Sequence, residues 1–189
     1  QVASVEFNTG GQVTRLTEAD PDGAGPQEAP VTQYSYDTDG NLEQMTLPDG
    51  STRVWDYNTE GQVTDYTDEL GRQTLFELDA SGNVLTARQV VGEVDSTANG
   101  QTDDCVTTFT YTTGSANPAD PPAGLLATET DPLGHVTSYQ YSARGLVTQI
   151  TYAVGTADEA HVHVEYDAAW RIWAQVDELG RRTEYGYDS

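Results

Sequence analysis

The sequence predicts an all-β fold that is built from tandem antiparallel β-hairpins. Three observations support this prediction: a motif that recurs at a fixed spacing, apolar and polar residues that alternate with a period of two, and two turns in most repeats. Self-similarity at a fixed period is the signature of a repeat architecture. Alternation with a period of two between turn residues indicates strands rather than helices.

The recurring motif is a large apolar residue followed by a short polar turn that contains glycine. It occupies residues 36–42, 57–63 and 78–84, so that consecutive copies are 21 residues apart. Looser copies begin at Tyr111, Tyr141, Tyr166 and Tyr187, and a truncated copy over residues 5–10 opens the chain. The sequence therefore predicts a single array of about seven units over residues 1–189.

Insertions lengthen the repeat at four places, near residues 18–33, 91–106, 113–124 and 154–161. They are rich in glycine, proline and small polar residues, which favour surface loops on a regular scaffold. Because the chain begins with Gln1 rather than methionine and ends in the opening of another repeat, we expect a fragment of a longer chain. Its first partners would then be the remaining repeats of the same parent chain.

Large residues occupy two positions at the end of the first strand of each repeat. Side chains two residues apart point to the same face of a strand, so these residues are expected to line one face of the sheet. The residue between them is never a hydrophobe, which predicts a solvated opposite face and fixes the register. The predicted aromatic ladder consists of Tyr34, Tyr36, Trp55, Tyr57, Phe76, Phe109, Tyr111, Tyr139, Tyr141, Tyr166, Tyr185 and Tyr187. We expect this ladder to hold the array together, with about 0.2–1 kcal/mol from each cross-strand contact.

Glycines mark the two turns of each repeat, where a positive φ is expected. The predicted turn glycines are Gly40, Gly61, Gly71, Gly82, Gly134, Gly145 and Gly180. After the first turn, apolar residues such as Leu42 and Met45 lie three residues apart. A gap of three does not fit a flat period of two, so we expect a bulge or a bend between them.

Composition excludes several classes of protein. The 31 acidic residues against 8 Lys plus Arg give a formal net charge of -23, whereas binding to nucleic acid needs clustered cations. Cys105 is the only cysteine, which excludes an intramolecular disulfide. We interpret it as an incidental loop thiol, with an intermolecular bridge as the alternative. The apolar runs are far shorter than the roughly 20 residues of a membrane span, so no membrane span is expected.

The sequence gives no pattern for a catalytic residue, a metal site or a cofactor. His161 and His163 would share one face of a strand, but without a third ligand they do not make a metal site, and His135 is expected on the surface. Residues 37–41 faintly resemble a calcium loop, yet they lack the distal glutamate and are predicted to form a tight turn. No Ser/His/Asp arrangement, phosphate loop or dinucleotide fingerprint is present.

Exposed aromatic residues would offer a second interpretation of the ladder, as a surface on which sugars stack. The candidates for such a surface are Trp55, Tyr57, Trp170 and Trp173. Packing within or between sheets is the preferred interpretation, because exposed aromatic stripes of that size are unusual.

The repeat resembles a known family. The pattern Tyr-Asp-x-x-Gly-Asn/Gln-Leu/Val, then Thr-Asp-Pro/Glu-Leu-Gly and Thr-x-x-Tyr-x-Tyr, is similar to the YD repeat of the Rhs family over nearly the whole chain. That family includes bacterial Rhs polymorphic toxins, insecticidal toxin-complex shell proteins, wall-associated proteins and teneurin-like arrays. The resemblance implies a continuous curved sheet or spiral, a β-solenoid or shell-like strip that in the toxins encloses an effector. Residues 131–134 share only the first letters of the self-cleaving segment of those shells, so no protease assignment follows.

The resemblance implies a non-enzymatic structural segment of a secreted or cell-surface protein. In this hypothesis the chain forms part of a shell that encloses a toxin domain or other cargo. Two alternatives stay open: an extracellular adhesion module that binds a surface glycan or protein through its loops, and a subunit of a self-assembling fibre. The fibre would form between copies of the chain, because open sheet edges favour strand pairing.

Overall fold

A computed structural model describes residues 2–23, 25, 27–91 and 103–188 of the chain. Every regular element in this part of the chain is a β-strand, and fifteen strands are present there. The first eight are β1 (Val2–Phe7), β2 (Val13–Glu18), β3 (Val31–Tyr36), β4 (Leu42–Thr46), β5 (Thr52–Tyr57), β6 (Val63–Thr67), β7 (Gln73–Leu78) and β8 (Val84–Gln89). The others are β9 (Cys105–Tyr111), β10 (Leu126–Thr130), β11 (Val136–Tyr141), β12 (Val147–Tyr152), β13 (Ala160–Tyr166), β14 (Ile172–Val176) and β15 (Arg182–Glu184).

The strands follow one another in the order of the chain in one open antiparallel sheet. Strand pairing is antiparallel in the hairpins β3–β4, β5–β6, β11–β12 and β13–β14, and between them from β4 to β5 and from β12 to β13. The predicted fold class, an all-β array of tandem antiparallel hairpins, is therefore confirmed. No helix in the described residues is long and apolar enough to cross a membrane.

The chain divides into two compact units. The first comprises Gln1–Leu78 and Ala87–Cys105, and the second comprises Asp79–Thr86 and Val106–Ser189. The long connections lie at residues 19–30, 112–125 and 153–159. The predicted loop near 91–106 falls largely outside the described residues, since 92–102 are not among them.

A bulge recurs one residue into the second strand of the hairpins. In β3–β4, Tyr36 pairs with Leu42 and Ser35 pairs with Gln44, which leaves Glu43 as the extra residue. The same shift occurs in β1–β2, β5–β6, β9–β10, β11–β12 and β13–β14. Because the extra residue offsets the alternation by one, Leu42 and Met45 both lie opposite tyrosines of β3. The predicted bulge is confirmed.

Cross-strand pairing gives the sheet two chemically different faces. We call the face that carries Tyr34 and Trp55, with their equivalents in other hairpins, the aromatic face. The alternating residues, such as Ser35 and Asp56, form the polar face. Only Val162 and Ala174 are buried hydrophobic residues in the described part of the chain. The hairpins are therefore joined side by side with little enclosed core.

Candidate functional site

The tyrosine that ends the first strand of most hairpins makes a hydrogen bond to the preceding hairpin. The Tyr57 hydroxyl at the end of β5 donates to the carbonyl oxygen of Leu42, the first residue of β4, at 2.9 Å. Equivalent bonds of 2.6–2.8 Å join Tyr36 to Val13, Tyr111 to Val84, Tyr141 to Leu126, Tyr166 to Val147 and Tyr187 to Ile172. We call these the inter-hairpin hydroxyl bonds. They fix each hairpin to its neighbour at a defined register, in addition to the packing of the rings.

Leu78 occupies the same position at the end of β7 and has no hydroxyl to donate. The repeat pattern predicts only a large apolar residue at this position, whether leucine or tyrosine, and does not predict the hydroxyl bonds. The signal that would have revealed them is the use of tyrosine rather than phenylalanine at most of the motif positions.

Partial burial favours the donating form of four of these hydroxyls. Desolvation raises the pKa of Tyr57, Tyr111, Tyr141 and Tyr166 above the ordinary value for tyrosine. Because that ordinary value is already near 10, these four hydroxyls stay protonated throughout the physiological pH range. The hydrogen bonds that they donate are therefore insensitive to pH in that range.

The predicted aromatic ladder lies in the first strands of the hairpins, except for its last two residues. Ten of its twelve residues are half-buried, and the other two, Tyr185 and Tyr187 after β15, are exposed. The Trp55 and Tyr66 rings stack at a tilt of 35° with centroids 5.4 Å apart. With Val63 and Phe76 they line a shallow apolar depression on the aromatic face. Of the four sugar-stacking candidates, Trp55 and Tyr57 are half-buried, whereas Trp170 and Trp173 are 48% and 37% exposed.

The turns share a five-residue network centred on their first side chain. In the turn 37–41, Asp37 Oδ1 accepts hydrogen bonds from the backbone N–H groups of Asp39 and Asn41, at 2.9 and 2.8 Å. Asn41 Nδ2 donates to the other carboxylate oxygen at 2.9 Å. The residues that resembled a calcium loop thus satisfy one another within a tight turn, as predicted.

The same side-chain acceptor recurs at the first position of the other turns. In each of these turns the side-chain oxygen of the first residue accepts hydrogen bonds from the backbone N–H groups two and four residues later. The first residues are Asn8, Asn58, Asp68, Asp79, Asp131, Ser142, Asp167 and Asp177. The turn 47–51 departs from this rule, because it begins with Leu47 and its carboxylate comes from Asp49.

The carboxylates of the turns are held in their charged form. The side chain of Asn41 lowers the pKa of Asp37, and that of Asn83 lowers the pKa of Asp79. A guanidinium does the same at Asp68, where the side chain of Arg72 lowers the carboxyl pKa. These shifts have a complete structural explanation in the turns, so they do not indicate a catalytic acid or base.

The fourth position of the turns requires a left-handed backbone. The seven predicted turn glycines have φ between 75° and 89° there: Gly40, Gly61, Gly71, Gly82, Gly134, Gly145 and Gly180. In the turn 167–171 the fourth position is Trp170, with φ 64°. None of the predicted turn glycines belongs to this repeat, and Trp170 takes the position instead.

The histidines are accounted for by neighbouring polar groups. His135 Nδ1 lies 2.9 Å from Asp131 Oδ2 within a turn, and His161 Nδ1 lies 3.1 Å from Thr151 Oγ1. The rings of His161 and His163 are 6.2 Å apart between centroids. No group of three or more His, Cys, Asp or Glu residues positioned for a metal ion occurs in residues 2–23, 25, 27–91 and 103–188. Cys105 is exposed at the start of β9.

Comparison with known proteins agrees with this geometry. The family model described as RHS Repeat matches residues 57–94 and 121–157. No curated protein sequence matches the chain.

Solved structures show the same fold. The crystal structure of TcdB2-TccC3 without its hypervariable C-terminal region and that of TcdB2-TccC3-TEV each match 97% of this chain, at 18% identity and a TM-score of 0.64. The crystal structure of TcdB2-TccC3-Cdc42 matches 95% of it, at 16% identity and a TM-score of 0.54. This chain spans only 9% to 10% of the length of those chains. Residues 57–94 and 121–157 are therefore repeats of the Rhs family, and the same hairpin geometry recurs in the other described residues.

Proposed function

We propose that the chain is a non-enzymatic wall segment of a secreted or cell-surface Rhs-type shell that encloses a toxin domain or other cargo. The observation that supports this proposal is the way the hairpins are joined. Strand pairing connects the hairpins and the inter-hairpin hydroxyl bonds reinforce most of these connections, while buried hydrophobic side chains are almost absent from the described residues. A sheet of this kind is stabilised mainly by contacts between neighbouring hairpins. This organisation is typical of an extended wall rather than of a globular domain with its own core.

The two faces of the sheet suit a partition. Along the polar face, residues such as Gln33, Ser35 and Asp56 are exposed to solvent, and the aromatic face offers half-buried rings. A wall requires one surface for the outside and another for the contents, and this chemical division is repeated from one hairpin to the next. Each repeat therefore extends both surfaces by the same increment.

The likeness to the TcdB2-TccC3 structures supports the same proposal at the level of fold. In those structures a region with this fold is a small part of the chain, since this chain spans 9% of their length. A closed container would need many such segments in one parent chain. The net charge of -23 would keep a large secreted particle soluble through self-repulsion.

Electron microscopy of the longer protein that contains this chain tests the proposal. We expect class averages of a closed hollow particle, with its cargo protected from added protease until the particle is opened. Extended rods or filaments under native conditions would refute the shell and favour a fibre or an adhesin. A variant in which Trp55 and Tyr57 are both alanine serves as a control, since it should lose the closed particle.

A further inference from the structure

Arg144 is unusual among the cations of this acidic chain. All eight Lys plus Arg residues are arginines, and seven of them have a carboxylate oxygen within 4.0 Å. Arg144 has no carboxylate partner among the described residues. Its guanidinium carbon instead lies 4.1 Å from the centroid of the Trp170 ring.

Trp170 is held in a conformation that costs free energy. It adopts φ 64° at the turn position that glycine occupies in the neighbouring hairpin turns. A bulky side chain with a left-handed backbone is a genuine outlier and is strained. Glycine would form the turn without this strain, so the indole has a role other than closing the turn.

Both side chains are open to solvent. Arg144 is exposed, and 48% of Trp170 is exposed. A guanidinium that stacks on an aromatic face keeps its N–H donors in its own plane, free to bind a planar anion. In the described part of the chain the Arg144 side chain makes no hydrogen bond that would occupy these donors.

The turn that carries Arg144 lacks an acidic first residue. The turn 142–146 begins with Ser142 and contains no acidic residue. The adjacent turn that carries Trp170 begins with Asp167, and this carboxylate is paired with Arg171 at 2.8 Å. An anion that approaches Arg144 therefore meets a guanidinium that has no carboxylate partner among the described residues and lies next to an aromatic ring.

We propose that Arg144 and Trp170 form a binding site for an acidic saccharide. The guanidinium takes the carboxylate of the sugar through two parallel N–H···O bonds, which is the strongest geometry available to arginine. The accessible part of the indole offers an apolar surface to the C–H face of a neighbouring sugar ring in the same saccharide. The site is independent of the shell proposal, since it needs only an exposed edge of the sheet.

Titration of an unsulfated hyaluronan tetrasaccharide into the purified protein, followed by calorimetry or NMR, tests the site. Trp170→Gly restores the residue that other turns carry, so the turn is retained, and we expect binding to weaken about tenfold or more. Arg144→Gln should weaken it to a similar extent, and a carboxyl-reduced tetrasaccharide should bind the unmodified protein equally poorly. The matched control is Arg181→Gln in the turn 177–181, which should leave the affinity unchanged.

Three results would overturn the proposal. The first is no binding of the tetrasaccharide to the unmodified protein. The second is binding that both the Trp170→Gly and the Arg144→Gln proteins retain while their thermal unfolding matches that of the unmodified protein. The third is a polyglutamate peptide that binds as tightly as the tetrasaccharide, because the site would then recognise a carboxylate without recognising a sugar.

Discussion

The hairpins β5–β6 and β7–β8 follow the same 21-residue frame and differ in how the first of their two strands ends. Tyr57 at the end of β5 donates a hydrogen bond to the Leu42 carbonyl, whereas Leu78 at the end of β7 offers an apolar side chain alone. The packing at this position therefore tolerates different large apolar residues. The inter-hairpin hydroxyl bond requires a tyrosine.

Their turns differ in a parallel way. Asn58 and Asp79 each accept two backbone N–H groups through Oδ1, at 2.8–3.1 Å. Both turns therefore use a side-chain acceptor at the first position, and the negative charge of Asp79 is an addition to that shared feature. The charge has a consequence for acid stability that the neutral side chain does not have.

The largest effect is expected when the aromatic pair of β5 is removed. Changing both Trp55 and Tyr57 to alanine deletes the stacking on Tyr66 and one inter-hairpin hydroxyl bond. We expect a loss of about 3–5 kcal/mol in the free energy of unfolding, below the sum for two fully buried rings because both are only half-buried. Urea unfolding followed by circular dichroism measures this loss.

The matched control for this double variant replaces His161 and His163 together. Both histidines lie in β13 and pair with polar residues of β12, so their replacement should change stability little. A melting temperature that rises with added metal and loses this response in the histidine variant would contradict the conclusion that they are not ligands.

Tyr57→Phe isolates the hydroxyl from the ring. The change keeps the ring in place and leaves the Leu42 carbonyl without this donor. We expect a loss of about 1 kcal/mol, the usual net contribution of one hydrogen bond. Unchanged stability in Tyr57→Phe would show that the ring alone connects the hairpins.

Leu78→Tyr is the reverse experiment and should stabilise the protein. The Val63 carbonyl of β6 is the counterpart of the Leu42 carbonyl, because both belong to the first residue of a second strand. A hydroxyl at position 78 should reach it and contribute about 0.5–1 kcal/mol. Leu78→Phe is the matched control, since it adds a ring without a donor and should give a smaller gain.

Asp79→Asn tests the difference between the two turns through pH. The Asn83 side chain is the largest cause that lowers the pKa of Asp79 below its ordinary value of 3.8. A carboxyl with a lowered pKa contributes stability above the ordinary value and loses it as the pH falls through the lower value of the folded state. We therefore expect the unmodified protein to lose stability below about pH 4, with a shallower loss in Asp79→Asn.

The opposite substitution in the neighbouring turn checks that interpretation. Asn58→Asp should acquire the acid dependence that Asp79→Asn loses, while both proteins keep the Oδ1 acceptor. The unfolding free energy would be compared against pH for the unmodified protein, Asp79→Asn and Asn58→Asp. Identical profiles would show that the turn carboxylates do not contribute to the loss of stability in acid.

The features that the sequence predicted are local ones. The hairpins, the bulge between Leu42 and Met45 and the positive φ of glycines such as Gly40 follow from the alternation of residues and from steric limits on the backbone. Each can be inferred within a window of a few residues, which is why the repeat pattern was sufficient.

The features that the sequence missed connect residues far apart in the chain. The Tyr57 hydroxyl bonds a carbonyl 15 residues earlier, and its acceptor is a backbone atom, which leaves no trace in the side-chain pattern. Arg144 and Trp170 belong to successive hairpins and meet only because the two turns lie on the same edge of the sheet. Such contacts depend on the register between hairpins, which the spacing of one motif does not determine.

The smallest effect is expected at Asp65, which lies on the polar face in β6, between β5 and β7. Asp65 pairs with Asp56 of β5 on one side and with Leu75 of β7 on the other. Burial is the main cause that raises the pKa of Asp65, the hydrogen bond from Gln73 lowers it, and Asp56 raises it further. A raised carboxyl pKa means that the charged form destabilises the folded state, and that stability is regained as the pH falls through the raised value.

Asp65→Asn should therefore stabilise the protein at pH 7, by about 0.5 kcal/mol for relief of a directly opposed like-charge pair. An amide at this position still accepts the bond from Gln73 Nε2, and its own N–H can reach Gln73 Oε1, which has no partner in the described residues. The gain should shrink as the pH falls through the raised pKa of Asp65, because its carboxyl then becomes neutral. Asp56→Asn removes the like charge but leaves the half-buried carboxylate of Asp65 in place. If Asp56→Asn gains as much stability as Asp65→Asn, the effect comes from charge repulsion rather than from burial.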